Sequence, residues 1–226
     1  MKRRYIAAAL IAIILLLSGC RTVSDFSEEE RDAALHEAGS LAVDSAFSTI
    51  IASPASFDVI PQSAAPMVEA SSYVPGLGYL IVKWQSLAQA MYQTSISYYP
   101  DYFKSLISAL QFPATYAMLD SDTSVMDQLS QEKHDEIEQQ ILSRMEVDLD
   151  ISAFDAALDL YNDYLLARSN IDQTPYVMLE IDPRPELSEA LADFLLSEMR
   201  KAEAKVRTTP DLSLNSNFVK VFALGY

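Results

Sequence analysis

The chain predicts an all-α protein: a single irregular multi-helix domain of about seven or eight helices, placed behind an N-terminal leader. Three observations carry that expectation. Apolar residues recur at helical spacing along most of the chain. The prolines, ten in all, fall between those runs and mark where helices stop or start. Glycine is scarce, five in 226 residues, which suits helices better than glycine-dependent hairpins.

The leader comes first. Lys2, Arg3 and Arg4 form a basic start, and Tyr5 to Leu17 is an apolar run closed by Ser18, Gly19 and Cys20. This is the anatomy of an export signal. The run falls short of the roughly 17 to 25 residues that a spanning helix needs. Leu17-Ser18-Gly19-Cys20 resembles the lipobox of bacterial lipoproteins. The resemblance implies that the Cys20 thiol takes a diacylglycerol, that a peptidase cuts before it, and that a fatty acid such as palmitate then joins the new amine. Two or more acyl chains anchor a protein stably, whereas one does so only marginally. Arg21 stands where an aspartate would imply retention on the inner membrane, so the resemblance favours a lipid anchor in the outer membrane, facing the periplasm. The boundaries are 1–19 for the signal peptide, 20–26 for a lipidated tether and 27–226 for the helical domain.

Ser27-Glu28-Glu29-Glu30 reads as a capping box. The helix it opens is expected from about Glu28 to Ala52, with Leu35, Ala38, Ala42, Ala46, Phe47 and Ile50 on one face. Ser53 to Pro66 reads as a loop that tucks Phe57, Val59 and Ile60 inward. Pro75-Gly76-Leu77-Gly78 is a turn. Leu77, Leu80, Ile81, Trp84, Leu87 and Met91 then give a helical stripe. Pro100-Asp101 starts a helix lined by Phe103, Leu106, Ile107 and Leu110. Pro113 forces a kink or a new start, carrying Tyr116, Ala117 and Leu119. Asp120 to Ser124 is a break. Met126, Leu129, Ile137, Ile141 and Met145 mark the next helix. Ser152 caps another, with Phe154, Ala157, Leu158, Tyr161 and Leu165 inward. Thr174 to Ile181 is the one strand-like run. Leu187, Leu191, Phe194, Leu195, Met199 and Val206 form a long helix that Pro210 ends. Leu214, Phe218, Val219 and Phe222 make a short terminal one.

From Gly76 onward the spacing resembles a family of bacterial secreted or lipoprotein domains known only as domain of unknown function 4197. The resemblance rests on Gly76-Leu77-Gly78, Leu160-Tyr161-Asn162, Val206-Arg207-Thr208-Thr209-Pro210 and Val219-Lys220-Val221-Phe222. Two polar signatures of that family fall on Gln89 to Gln93 and on Ser124 to Gln128, where their residues are replaced. The resemblance implies a fold, not an activity, and the replaced signatures imply either an activity lost or changed, or a structural contact such as a buried salt bridge replaced.

Charge excludes several functions. The chain holds 32 acidic and 16 basic residues for a net charge of -16, and removing Lys2, Arg3 and Arg4 takes it to -19. Nucleic acid binding runs on clustered Lys and Arg, so no nucleic acid partner is expected. Cys20 is the sole cysteine, so no intrachain disulfide is possible. His36 and His134 lack companions at ligand spacing, and no metal or cofactor is expected. Asp120-Ser121-Asp122-Thr123-Ser124 opens like a calcium loop. However, Val125 and Gln131 stand where a glycine and a glutamate are needed. Asp148 and Asp150 read as a cap for the helix at Ser152. There is no nucleophile elbow and no phosphate loop, so no catalysis is expected.

Aromatic density between Tyr73 and Tyr116 is the unusual feature. Tyr92, Tyr98, Tyr99, Tyr102 and Tyr116 are candidate residues for a partner or ligand surface, because tyrosine joins a large apolar face to a polar tip. Core packing is the competing reading of the same residues. The expected role is a binding or scaffold module of the cell envelope. Its partners would be the membrane, through the lipid on Cys20, and an envelope protein or an apolar small molecule; carriage of such a molecule or a lipid is the alternative.

Overall fold

A computed structural model describes residues 25–53, 59–209 and 216–224. The leader with Cys20, and Phe57, Pro210 and Leu214, lie outside the described residues. All regular structure among the described residues is helical: α1 Glu28–Ala52, α2 Ala65–Ala70, α3 Leu77–Ser95, α4 Tyr99–Ala109, α5 Thr115–Leu119, α6 Ser124–Asp148, α7 Ser152–Asp172, α8 Pro183–Thr208 and α9 Asn217–Leu224, with 3-10 turns at Gln62–Ala64 and Ile96–Tyr98. No described helix is long and apolar enough to cross a membrane.

The chain divides into two compact units. Among the described residues, the first comprises those up to Ala46, Phe103–Leu129 and those from Met199 on; the second comprises those within Phe47–Tyr102 and Ser130–Glu198. The changeovers fall inside α1, α4, α6 and α8, so no linker composition marks them.

In the first unit the capping box forms as the sequence predicts. Ser27 N donates to Glu30 Oε2 at 2.9 Å, and Glu30 N donates to Ser27 Oγ at 3.1 Å. Two of the donors that a helix start leaves unmet are thereby satisfied. Leu35, Ala38, Ala42 and Ala46 of α1 are buried, as are Phe103, Leu106 and Ile107 of α4. Gly39 shows why this face of α1 is built from small residues. A Cβ there would lie 2.7 Å from Val125 Cγ1 and 3.0 Å from Ile107 Cγ2. The terminal helix α9 buries Phe218 and Phe222, and Phe218 N donates to Glu37 Oε2 at 3.0 Å.

In the second unit α3 runs against α7. Gly76, at φ 87°, takes the left-handed conformation that opens α3. Trp84 meets Phe154 edge-on at 5.1 Å, and its indole N–H donates to Val59 O at 2.9 Å. That bond holds the chain entering the Pro61 turn. The buried side of α3 is Leu77, Ile81, Trp84, Ala88 and Tyr92, while Leu80, Leu87 and Met91 are only half-buried. The apolar stripe is thus rotated from the predicted one, with a tyrosine ring in place of a methionine. Asp150 Oδ1, rather than the Ser152 side chain, caps α7 by accepting from Ser152 N at 2.9 Å. That bond holds the Asp150 carboxyl below its ordinary range.

Two further expectations are corrected. The loop expected from Ser53 to Pro66 contains the Gln62–Ala64 turn and the start of α2, where Pro66 sits in the first turn and needs no N–H. Thr174 to Ile181 forms no strand, since no other strand exists among the described residues to pair with it. Asn162 instead clamps it: Nδ2 donates to Leu179 O at 2.9 Å, and Leu179 N donates to Oδ1 at 2.8 Å.

Candidate functional site

The aromatic candidates do not assemble into one surface. Tyr92 and Tyr99 are buried, at 1% and 3% exposure, and fill the core of the second unit. Tyr92 packs edge-on to Phe194 at 6.2 Å. Burial pushes its hydroxyl up to about 12, with a smaller push from Glu198. Burial also raises Tyr99, partly offset by a hydrogen bond with Ser95. Tyr102 is half-buried, donates to Glu136 O at 3.3 Å, and is likewise pushed up to about 12 by burial. Tyr98 is exposed, with the Arg144 guanidinium 4.3 Å above its ring. Tyr116 is exposed in the first unit. The expectation of a shared tyrosine surface is therefore corrected: amphipathic rings at helical spacing turn their apolar faces into the core, and only Tyr98 and Tyr116 stay open.

The histidines sit in ordinary contacts. His36 stacks at a tilt on Phe112, 4.7 Å between ring centres. His134 Nε2 lies 3.0 Å from Asp193 Oδ1, and Asp135 and Glu138 are near enough to share an ion with it. In the calcium-like stretch, Asp127 pairs with Arg200 at 2.8 Å, and Thr123 Oγ1 donates to Asp127 Oδ2 at 2.9 Å. Asp127, just past that loop, is thus turned to a cation of the protein itself.

A concavity lies elsewhere in the second unit. A groove of about 1050 Å³ opens between the Pro61–Glu69 segment and the first turns of α8. Its floor is Ile60, Pro61, Val68 and Leu187, and its walls carry Glu69, Glu186, Glu189 and Asp193. Local structure sets each wall. On one side, Pro61 is extended and leads into the 3-10 turn. On the other, Asp182 Oδ1 accepts from Arg184 N at 3.0 Å, capping α8, with Pro183 following the cap. Glu186 bridges the two walls by accepting from Ser63 N at 3.2 Å, and hydrogen bonds from Ser63, its side chain first and its N–H second, hold the carboxyl below the ordinary range. Asp193 faces His134. Among the described residues, neither the Glu69 nor the Glu189 side chain has a hydrogen bond or ion pair, and both are exposed. An apolar floor beneath open carboxylates can hold a cationic amphipathic group.

The first unit holds a charged cluster that periodicity misses. Glu203 and Arg207 are one turn apart on α8 and fully buried, with side chains at 0% and 2% exposure and an Nη2–Oε1 distance of 2.5 Å. Glu203 accepts from Val125 N at 3.0 Å and Met126 N at 2.9 Å, the donors left unmet at the start of α6. Arg207 donates to Met118 O at 2.9 Å, to Ser124 Oγ at 2.9 Å and to Ser121 O, and lies 4.9 Å over the Phe222 ring. Burial raises the Glu203 carboxyl, while Arg207 and the two amides pull it back. Leu195, Met199, Glu203 and Arg207 follow at four-residue steps. The signal in the sequence is an opposite-charge pair continuing an apolar stripe. Residues 124–126 of α6, Arg207 of α8 and Phe222 of α9 meet at this cluster. Its hydrogen bonds go to the protein's own backbone and side chains, which makes it a structural hub.

No family profile, curated protein or solved structure matches the chain.

Proposed function

We propose that the chain is a lipoprotein held in the outer membrane by lipid on Cys20, facing the periplasm, and that its helical domain is a non-catalytic binding module. The anchor rests on Leu17-Ser18-Gly19-Cys20 and the basic and apolar segments before it. The binding role rests on the groove, which joins an apolar floor to open carboxylates in a chain of net charge -16. That combination selects a basic amphipathic polypeptide: apolar residues fill the floor, and Lys or Arg meets Glu69 and Glu189. The small-molecule alternative draws less support from the aromatic region, because Trp84, Tyr92 and Phe154 are buried side chains rather than an open surface.

The anchor is tested by fractionation. Cys20→Ala is expected to abolish palmitate incorporation and membrane attachment together; a correctly cleaved variant that still sediments with membranes contradicts the anchor. The groove is tested with a fluorescein-labelled helical peptide carrying Lys and Leu on opposite faces. Replacing Glu69 and Glu189 by Gln is expected to weaken its binding about tenfold, with a flatter salt dependence. Unchanged binding removes the groove from the account.

A further inference from the structure

We propose that His134, Asp135 and Glu138 of α6 bind a divalent transition-metal ion such as Zn2+, and that Asp193 of α8 orients the imidazole for it. All four residues belong to the second unit. One ligand atom from each of the three α6 residues lies within 4.8 Å of the other two. At roughly 100° per residue, Glu138 falls between His134 and Asp135 around the helix. Ile137 and Ile141 are buried beside this face, so His134 is half-buried while Asp135 is open to solvent. The expectation of no metal rested on the lack of a second histidine at ligand spacing. The companions here are carboxylates instead, one adjacent in sequence and one a turn further on.

The two ring nitrogens have separate roles. His134 Nε2 lies 3.0 Å from Asp193 Oδ1. An ionised carboxylate only accepts, so Nε2 carries the proton and donates. The lone pair of the neutral ring then sits on Nδ1, which lies 3.9 Å from Asp135 Oδ1. Among the described residues, neither Asp135 nor Glu138 meets a lysine or an arginine. Three acceptors therefore converge with no donor between them, and they repel one another until a cation enters. A carboxylate on the far nitrogen is also the usual second partner of a metal-bound histidine. It fixes the tautomer and makes the free nitrogen a better ligand. Here it comes from another helix, 59 residues along the chain, so no local pattern in α6 reveals it.

Ligand chemistry narrows the ion. One imidazole nitrogen with two carboxylate oxygens suits Zn2+ and similar first-row dications, whereas Ca2+ and Mg2+ favour oxygen alone. Ligand atoms about 2.1 Å from a tetrahedral Zn2+ lie about 3.4 Å apart. Small rotations of the Asp135 and Glu138 side chains bring the three atoms to that spacing. The fourth position faces solvent and is left to water.

The test is calorimetric titration of zinc chloride into the full chain carrying Cys20→Ala, which removes the one thiol able to compete. It needs no peptide, so its outcome is independent of the groove. One zinc per chain is expected. His134→Gln and Glu138→Gln should each weaken binding about tenfold or more, and Asp193→Asn about tenfold. His36→Gln should leave it unchanged. Circular dichroism of each variant separates lost ligation from lost folding. In nitrogen-15 spectra, zinc should shift His134 Nδ1 while Nε2 keeps its proton, a signature that a merely structural Asp193–His134 contact would not give. Zinc binding that survives His134→Gln, coordination through Nε2, or no saturable binding overturns the proposal. So does calcium binding as tightly as zinc and indifferent to His134→Gln, which assigns the carboxylates to a diffuse acidic surface.

Discussion

Where α8 enters the first unit, its buried stripe is completed by an ion pair, Glu203 with Arg207. Where α3 meets α7 in the second unit, the same kind of stripe is completed by rings, Trp84 against Phe154. Both solutions use backbone groups: amides of α6 and the Met118 carbonyl bond the carboxylate and the guanidinium, and Val59 O accepts from the indole N–H. They differ in how they fail. A buried charge that loses its partner is stranded, whereas a truncated ring leaves a void that neighbours can partly fill. The charged centre also joins more of the chain, since its contacts reach Met118, Ser121, Val125 and Phe222.

That contrast can be broken most forcefully at Arg207. Arg207→Ala leaves Glu203 charged and buried and is expected to destabilise the protein by about 3–5 kcal/mol, read as a lowered denaturation midpoint. Glu203→Leu combined with Arg207→Met should recover most of that loss, because no buried charge remains. A double variant as unstable as the single one would show that shape, not charge, holds the cluster. Trp84→Ala is expected to cost about 3–5 kcal/mol by cavity formation. Here no second substitution of a polar partner can rescue it, and filling the void with Phe should.

A pH titration sharpens the aromatic side. Tyr92 and Tyr102 ionise near 12 in the folded chain, above the ordinary value of 10.0. A raised folded value means that the stabilisation is fully present below pH 10. It is lost as pH rises from 10 towards 12. Absorbance of tyrosinate should therefore show a late phase that Tyr92→Phe reduces, and unfolding should be promoted across the same window. The smallest effect belongs to the cap. Ser27→Ala should cost about 1 kcal/mol, read as increased exchange of amides in the first turn of α1.

Much of the helical frame was readable because helix boundaries depend on local chemistry. Ser27 and Glu30 announce their own cap, and Pro100 and Pro113 lie at breaks that any neighbourhood would impose. The inward face of α1 was readable because alanine and leucine have little else to do there. The clusters were harder. Glu203 and Arg207 carry charges that a local pattern assigns to solvent, and only the unmet amides of a distant α6 make their burial tolerable. Tyr92 and Tyr99 were ambiguous because a tyrosine suits a core and a surface equally, and the choice depends on Phe194, Ser95 and Arg144. The groove could not be read at all. Its walls come from segments more than a hundred residues apart, joined by Glu186 and Ser63.

The most direct measurement sets the two units against each other in one assay. The anisotropy of the fluorescein-labelled Lys/Leu peptide and the thermal midpoint are measured for Glu69→Gln with Glu189→Gln, and for Glu203→Gln. The groove pair is expected to lower affinity about tenfold and leave the midpoint unchanged. The buried residue is expected to lower the midpoint and, below it, leave affinity unchanged. Equal affinity in the unsubstituted chain and both variants, or a loss of affinity with Glu203→Gln alone, would contradict the account.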